Sequence, residues 1–225
     1  MTVGVLAIGG ACASDGADGP SEQRSDEIAV DAALMSGVGV LAEGCGPSAS
    51  SGSGVAAGPV GHVVTVAHTV AGATSLTVID IDGVERDARV VAFDPEIDLA
   101  VLAVDGLEAT PLAVGDVQLG DLTLVRWSAG DGVTSRQVDV TQRLAITIDD
   151  IYGDVSVQRS GFEFTGNIVV GDSGGPIVST DGAVIGIVYA RSRSRASTAF
   201  ATDGSEITAL LSTIADQPVD NGACV

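Results

Sequence analysis

Six consecutive residues, Gly171-Asp172-Ser173-Gly174-Gly175-Pro176, hold what an acyl-transfer centre requires. Such chemistry needs an exposed hydroxyl beside backbone N–H groups that converge on the oxyanion forming in the transition state. Glycines on both sides of Ser173 allow the tight, partly φ > 0 backbone path that turns those N–H groups inward. An ordinary Gly/Ser turn has no need of this run.

A serine alone is a weak nucleophile, and a general base must take its proton and later return it to the leaving group. The run Val63-Val64-Thr65-Val66-Ala67-His68, followed by Thr69-Val70-Ala71-Gly72, supplies one. An apolar strand over 63–67 ends on a small residue and presents His68 in the turn at its rim. His62, the other histidine, begins the same strand and reads as structural or surface-facing; no further ligands at suitable spacing accompany it, so no metal and no cofactor are expected. The orienting carboxylate is expected within Asp94-Pro95-Glu96-Ile97-Asp98-Leu99-Ala100-Val101-Leu102. Asp94 and Glu96 compete for the role. Only Asp98 adjoins the apolar run, where it can accept the other ring N–H, fix the tautomer and stabilise the imidazolium.

Gly171, Ser173 and Gly175 also satisfy the Gly-x-Ser-x-Gly pattern of α/β-hydrolases. Those enzymes place their histidine after the serine, whereas both histidines here precede Ser173.

The elements that must hold these residues are short strands. Candidate runs are 37–41, 63–67, 76–81, 88–93, 99–104, 122–127, 138–141, 144–148, 184–189 and 198–201. Asp82-Gly83, Asp131-Gly132 and Asp181-Gly182 mark turns between them. Many short strands without intervening helical patterns argue an all-β barrel or sandwich. One helix is expected at about 204–216: Asp203 and Glu206 are spaced as a capping box, and Ile207, Leu210, Leu211 and Ile214 form one apolar stripe.

The combination of Thr65-Val66-Ala67-His68, Asp98-Leu99-Ala100-Val101-Leu102 and Gly171-Asp172-Ser173-Gly174-Gly175-Pro176 resembles the trypsin-like serine proteases, among them the bacterial ones. More narrowly, Cys45 ahead of Gly52-Ser53-Gly54, the Asp149-Asp150-Ile151-Tyr152-Gly153 turn and the closing Pro218-Val219-Asp220-Asn221-Gly222-Ala223-Cys224 are similar to actinobacterial periplasmic proteases of the acid-resistance, MarP-like type. The likeness runs from about residue 34 onward. It implies two six-stranded antiparallel β-barrels of the chymotrypsin-like kind, with His68 and Asp98 from the first and Ser173 from the second. It also implies an oxyanion hole made by the N–H groups of Gly171 and Ser173, and an edge at Val188, Tyr189 and Ala190 that pairs with the substrate peptide. The position at the base of the specificity pocket, six residues before the serine, is Asn167. A neutral amide there cannot balance a buried substrate cation, so an uncharged side chain of small or medium size is expected.

On this reading residues 1–29 form a leader and tether, 30–116 the N-terminal barrel, and 117–225 the C-terminal barrel with its helix. Cys45 and Cys224 bracket the globular region and are expected to pair, as matching cysteines do in the family; such a bond needs an oxidising compartment. Cys12 follows the short apolar run 3–11 and precedes the polar stretch 13–27, a pattern resembling the end of a bacterial lipoprotein signal. Export, and a membrane tether through lipidation of Cys12, follow as expectations; the apolar run itself is too short to span a bilayer. Ten arginines and no lysine stand against thirty carboxylates, for a formal charge of −20. That field argues against nucleic acid as a partner and leaves a polypeptide as the expected substrate. Two other readings compete: a non-catalytic binding module on the same scaffold, and an esterase.

Overall fold

The structure, a computed structural model, describes residues 20–46 and 48–225. Helix α1 (Pro20–Ser36) leads into β1 (Gly37–Glu43), β2 (Ser50–Ala56) and β3 (His62–Thr65). A one-turn helix α2 (Ala67–Val70) precedes β4 (Ser75–Ile79), β5 (Glu85–Asp94) and β6 (Leu99–Val104). The second half contains β7 (Gly120–Ser128), β8 (Gly132–Asp149), β9 (Ser156–Thr165), β10 (Pro176–Val178), β11 (Val184–Arg191), β12 (Thr198–Asp203) and α3 (Gly204–Leu211). Each set of six strands closes on itself, in the orders β1-β2-β3-β6-β5-β4 and β10-β11-β12-β9-β8-β7. The expected pair of six-stranded barrels is what the chain forms.

Three cores explain the apolar runs. Val38, Val40, Val63, Leu76 and Leu102 fill the first barrel. Leu124, Val140, Phe162, Phe164 and Ile177 fill the second. Between the barrels lies a third core, to which β6 gives Leu99 and Val101, β11 gives Val184 and Ile187, and α3 gives Ile207 and Leu210. Strand β6 is buried at every position because alternate residues face these two cores, which is why it reads as a continuous apolar run rather than an alternation. This places the start of β6, where Asp98 sits, at the seam between the barrels.

Several expectations are corrected. The two runs 138–141 and 144–148 belong to one strand, β8, which carries a bulge between Val140 and Gln142. The strand expected over 63–67 stops at Thr65, and Ala67 already opens α2. Strands β2, β9 and β10 were not anticipated. The tether expected over 13–27 is helical from Pro20 onward; proline suits the first helical turn, where its missing N–H is no loss. Further along α1, Ala33 packs against Val125 and Val178 of the second barrel. Helix α3 ends at Leu211 rather than near 216, with Ser212 and Thr213 closing a tight turn onto Thr208, Ala209 and Leu210. Asp203 caps it as expected, accepting from the N–H groups of Ser205 and Glu206, but the Glu206 carboxylate instead takes the Ser160 N–H at 2.9 Å. Among the described residues no helix is long and apolar enough to cross a membrane. Cys12 lies outside the described residues.

Candidate active site

Strand β3 ends at the barrel rim, and the α2 turn sets His68 over the seam. Asp98 comes to it from the loop before β6. That loop is shaped by Asp94, whose carboxylate accepts the N–H groups of Glu96 (2.9 Å) and Ile97 (3.1 Å). Asp94 is therefore a turn-former, and Glu96 is exposed; neither rival reaches the imidazole. Asp98 is 4% exposed and holds φ at +58°, a conformation that aspartate tolerates better than most residues. Its Oδ2 lies 2.8 Å from His68 Nδ1 and its Oδ1 3.1 Å, while Oδ1 also accepts the His68 backbone N–H at 2.9 Å. With Nδ1–H donated to the carboxylate, Nε2 of the neutral ring is left as the acceptor. The His68 side chain keeps 32% of its surface exposed. Burial works against the imidazolium, but the hydrogen bond and charge of Asp98 outweigh both that and the nearby Arg159 cation, so the net pKa displacement is upward from 6.5.

Ser173 lies across the seam in the loop between β9 and β10, and lines with His68 a cleft of about 470 Å³. No hydrogen bond joins Ser173 Oγ to the imidazole among the described residues; such contacts often tighten only when substrate is bound. The loop is held from both sides. From the first barrel, the Ser53 N–H donates to the Ser173 carbonyl at 2.7 Å. Ser53 Oγ donates to the Gly171 carbonyl at 2.7 Å and accepts the Trp127 N–H at 2.8 Å. From the second barrel, Gly174 N–H donates to Val188 O at 2.8 Å and Val188 N–H to Gly175 O at 3.0 Å. Gly174 is required twice over: its φ is +85°, and a Cβ there would collide with the Ser53 carbonyl.

Asp172, fully buried, anchors the loop from beneath. It pairs with Arg126 Nε on β7, lies 3.5 Å from Arg136 Nη1 and accepts the Val169 N–H at 2.9 Å. These bonds leave the N–H groups of Gly171 and Ser173 without a protein acceptor among the described residues. Arg159 forms a second bridge between the barrels. Its Nε donates to Glu96 O at 2.6 Å, and its guanidinium lies 5.5 Å from the ring centre of Tyr189 in the cleft wall.

Val188, Tyr189 and Ala190 line the cleft, whereas Asn167 does not. Its carbonyl is taken by the Arg136 guanidinium and the residue is exposed. The wall begins one residue later, with Ile168, Val169 and Val170, the last of them 91% exposed. His62 sits at the far end of β3 with Nδ1 3.2 Å from Pro59 O. Cys45 and Cys224 are bonded, with Cα atoms 5.5 Å apart. Around them Asn221 Nδ2 donates to Val70 O (2.8 Å) and Ala73 O (3.0 Å), bracing the turn that carries His68. No group of three or more potential metal ligands occurs among the described residues.

Ser53, Arg126, Asp172 and Arg159 were not assigned positioning roles from the sequence. Arg126 had a visible signal, a lone charge inside the apolar strand Leu122-Thr123-Leu124-Val125-Arg126-Trp127. Arg159 had none.

The comparisons with known proteins agree with this architecture. Serine protease Rv3671c of Mycobacterium tuberculosis is 35% identical over 169 residues, 73% of this chain and 42% of the relative, so the chain spans about two-fifths of the length of that curated protein. The crystal structure of the Rv3671c protease in its active form superposes with a TM-score of 0.83 at 30% identity, covering 99% of this chain and 100% of that one. A probable periplasmic serine endoprotease, DegP-like, from Halomonas elongata is 34% identical over 149 residues, 61% of this chain and 29% of the relative. The HtrA-type protease AlgW solved with a tripeptide (S227A form) gives a TM-score of 0.72 at 25% identity, over 85% of this chain and 64% of that one. Residues 52–187 match the trypsin-like peptidase domain. With a match over more than half of its length, the chain belongs to the trypsin-like peptidase domain family, on the chymotrypsin-like double-barrel fold.

Proposed function

We propose that this chain is a serine endopeptidase in which residues 30–116 supply His68 and Asp98 and residues 117–225 supply Ser173. The observation that carries the reading is the His68–Asp98 pair at 2.8 Å in the same cleft as Ser173. In this mechanism His68 Nε2 takes the proton of Ser173 Oγ as the oxygen attacks the substrate carbonyl. Asp98 stabilises the imidazolium that results. The uncommitted N–H groups of Gly171 and Ser173 are suited to receive the tetrahedral oxyanion. When the C–N bond breaks, His68 returns the proton to the departing amine, and a water then releases the acyl group by the same route.

The substrate is a polypeptide bound along Val188, Tyr189 and Ala190. Its residue at the cleaved bond is uncharged: among the described residues no carboxylate lines the cleft to balance a substrate cation, and Ile168, Val169 and Val170 give its wall an apolar face. The DegP-like relatives described as periplasmic support export, and we extend this to a cell-envelope location with lipid attachment at Cys12.

Labelling with a fluorophosphonate followed by a casein digest tests the reading. Labelling with digestion is expected; labelling without digestion marks an esterase, and neither marks a binding module. Ser173→Ala should abolish labelling and lower turnover by about 10⁴–10⁶. Retention of more than about a tenth of wild-type peptidase activity would rule out Ser173 as the nucleophile, since loss of a triad member costs far more.

A further inference from the structure

The charge distribution at one end of the cleft is the reverse of the charge of the chain. Thirty carboxylates face ten arginines in the sequence, yet among the described residues none lining the cleft is a carboxylate, and the one permanent cation lining it is Arg191. Arg191 ends β11 and leads into the loop Ser192-Arg193-Ser194-Arg195 ahead of β12.

The loop has a built shape. Ser192 N–H donates to Thr198 O at 2.8 Å, and Ser192 Oγ accepts the N–H groups of Arg195 (3.0 Å) and Ser194 (3.3 Å). Arg195 is committed to holding it: both terminal nitrogens pair with Glu163, at 2.9 and 2.5 Å, and the guanidinium lies 5.9 Å from the Phe200 ring centre. Arg191 and Arg193 are different. Both are exposed, and among the described residues neither guanidinium has a hydrogen bond or a carboxylate within ion-pair distance.

Strand β11 sets the direction in which a substrate reaches them. Val188 is tied to Gly174 and Gly175 beside the nucleophile. Beyond the bulge at Tyr189, Ala190 and Arg191 pair with Phe200 and Ala199 of β12 on one side. On the other side β10 has its last partner at Ile187, so the main chain of Ala190 and Arg191 faces the cleft unpaired by strand. A peptide with its reactive carbonyl at Ser173 and its preceding residues antiparallel to β11 passes Ala190 and then meets Arg191 and Arg193. At roughly 3.3 Å per residue, these cations fall beside about the third to fifth residues before the cut.

We propose that Arg191 and Arg193 form a subsite for an acidic side chain about three to five residues ahead of the cleaved bond. The proposal rests on the endopeptidase reading and names the substrate class that reading lacks. A pair of exposed cations selects through a screened attraction, so the preference is moderate, falls mainly on KM and weakens with salt.

The test uses quenched fluorescent peptides differing only at those positions, carrying Asp or Glu, Asn or Gln, or Arg. Wild type is compared with the Arg191→Ala/Arg193→Ala and Arg191→Glu/Arg193→Glu double variants, each matched by fluorophosphonate labelling. The acidic peptides are expected to exceed their amides in kcat/KM by about 3–10-fold at about 20 mM salt and by less at about 300 mM. The double alanine variant should lose the preference, and the double glutamate variant should transfer it to the Arg peptides. Enzyme that labels and cleaves but treats acidic and amide peptides alike, or keeps the preference in the double alanine variant, overturns the subsite alone. Enzyme that neither labels nor cleaves overturns the endopeptidase reading, and the subsite with it.

Discussion

Ser53→Ala removes a side chain that does not line the cleft, and its effect can be worked out from the contacts it makes. The hydroxyl is fully buried and makes two bonds, to Gly171 O at 2.7 Å and from Trp127 N–H at 2.8 Å. Alanine at this position leaves the Trp127 N–H, buried near the end of β7, without a partner at a cost of about 1–3 kcal/mol. The Gly171 carbonyl lies where the residue is partly exposed, so water can replace the lost donor there. The net loss of stability is then about 2 kcal/mol, which for a chain of this length lowers the melting temperature by about 4–8 °C. Catalysis suffers separately. Freed from Ser53, the peptide joining Gly171 to Asp172 is held less firmly, and the Gly171 N–H on the adjoining peptide points at the oxyanion position for a smaller fraction of the time. Outright removal of an oxyanion donor costs about 10²–10³ in kcat, so loosening one should cost about 10-fold, with KM little changed. Melting is measured in a Ser173→Ala background to avoid self-digestion, and kcat and KM are measured at matched labelling. A folded Ser53→Ala enzyme with unchanged kcat would falsify the claim that the Ser53 hydroxyl helps hold the nucleophile loop in register; the Ser53 N–H to Ser173 O bond persists in this variant.

The upward displacement of the His68 pKa predicts that kcat/KM falls as pH drops through a value above about 6.5, as the ring gains a proton and ceases to be a base. The same displacement means that the folded state binds this proton more tightly than the unfolded chain. Its stabilising contribution is therefore full below about pH 6.5 and is lost as pH rises through the folded value, opposite in sense to the activity. Rate profiles, and melting of wild type against Asp98→Asn across that window, check both signs; a rate that stays flat to about pH 4 would contradict base catalysis by His68. Cys45→Ala/Cys224→Ala opens a loop of 179 residues and should cost up to about 5 kcal/mol on the chain-entropy model. An unchanged melting temperature in the Ser173→Ala background would show that the bond contributes nothing to stability.

The three segments bearing the proposed triad stand out in the sequence because each joins a chemically unusual residue to a local pattern that survives folding. His68 and Asp98 flank strands whose apolar runs are buried, and Ser173 lies among glycines whose backbone angles no other residue adopts readily. The strands that went unseen lack that pattern for physical reasons. In β2, Gly52, Ser53 and Gly54 are small because the nucleophile loop, Val38 and Val63 crowd against them, so packing removed the apolar signature by which strands are found. Strand β10 is three residues long, and β9 alternates Phe162 and Phe164, which face the barrel core, with Arg159 and Glu163 on the opposite face, each buried against a polar partner. Asn167 was placed by counting back from a serine, which assumes a loop path; in the structure its carbonyl is held by Arg136 and it does not line the cleft. The missed role of Asp172 belongs with these, since its partners Arg126 and Arg136 come from β7 and β8, which sequence separation hides.

Because each sheet closes into a barrel, its strands satisfy one another, and the stretch of β11 facing the cleft beyond Val188 stands open. A segment that docks there must bring unpaired main chain of its own. Residues inside a helix or a sheet have none to offer until they come loose. The cutting of a folded protein would then be governed by the target rather than by the enzyme. A site that needs about 4 kcal/mol to open is presented by roughly one molecule in a thousand, whereas a frayed terminus or damaged loop is presented nearly always. On the proposed endopeptidase reading, a cleft built this way would select for conformational failure before it selects for sequence, and would spare a well-folded neighbour without any inhibitor.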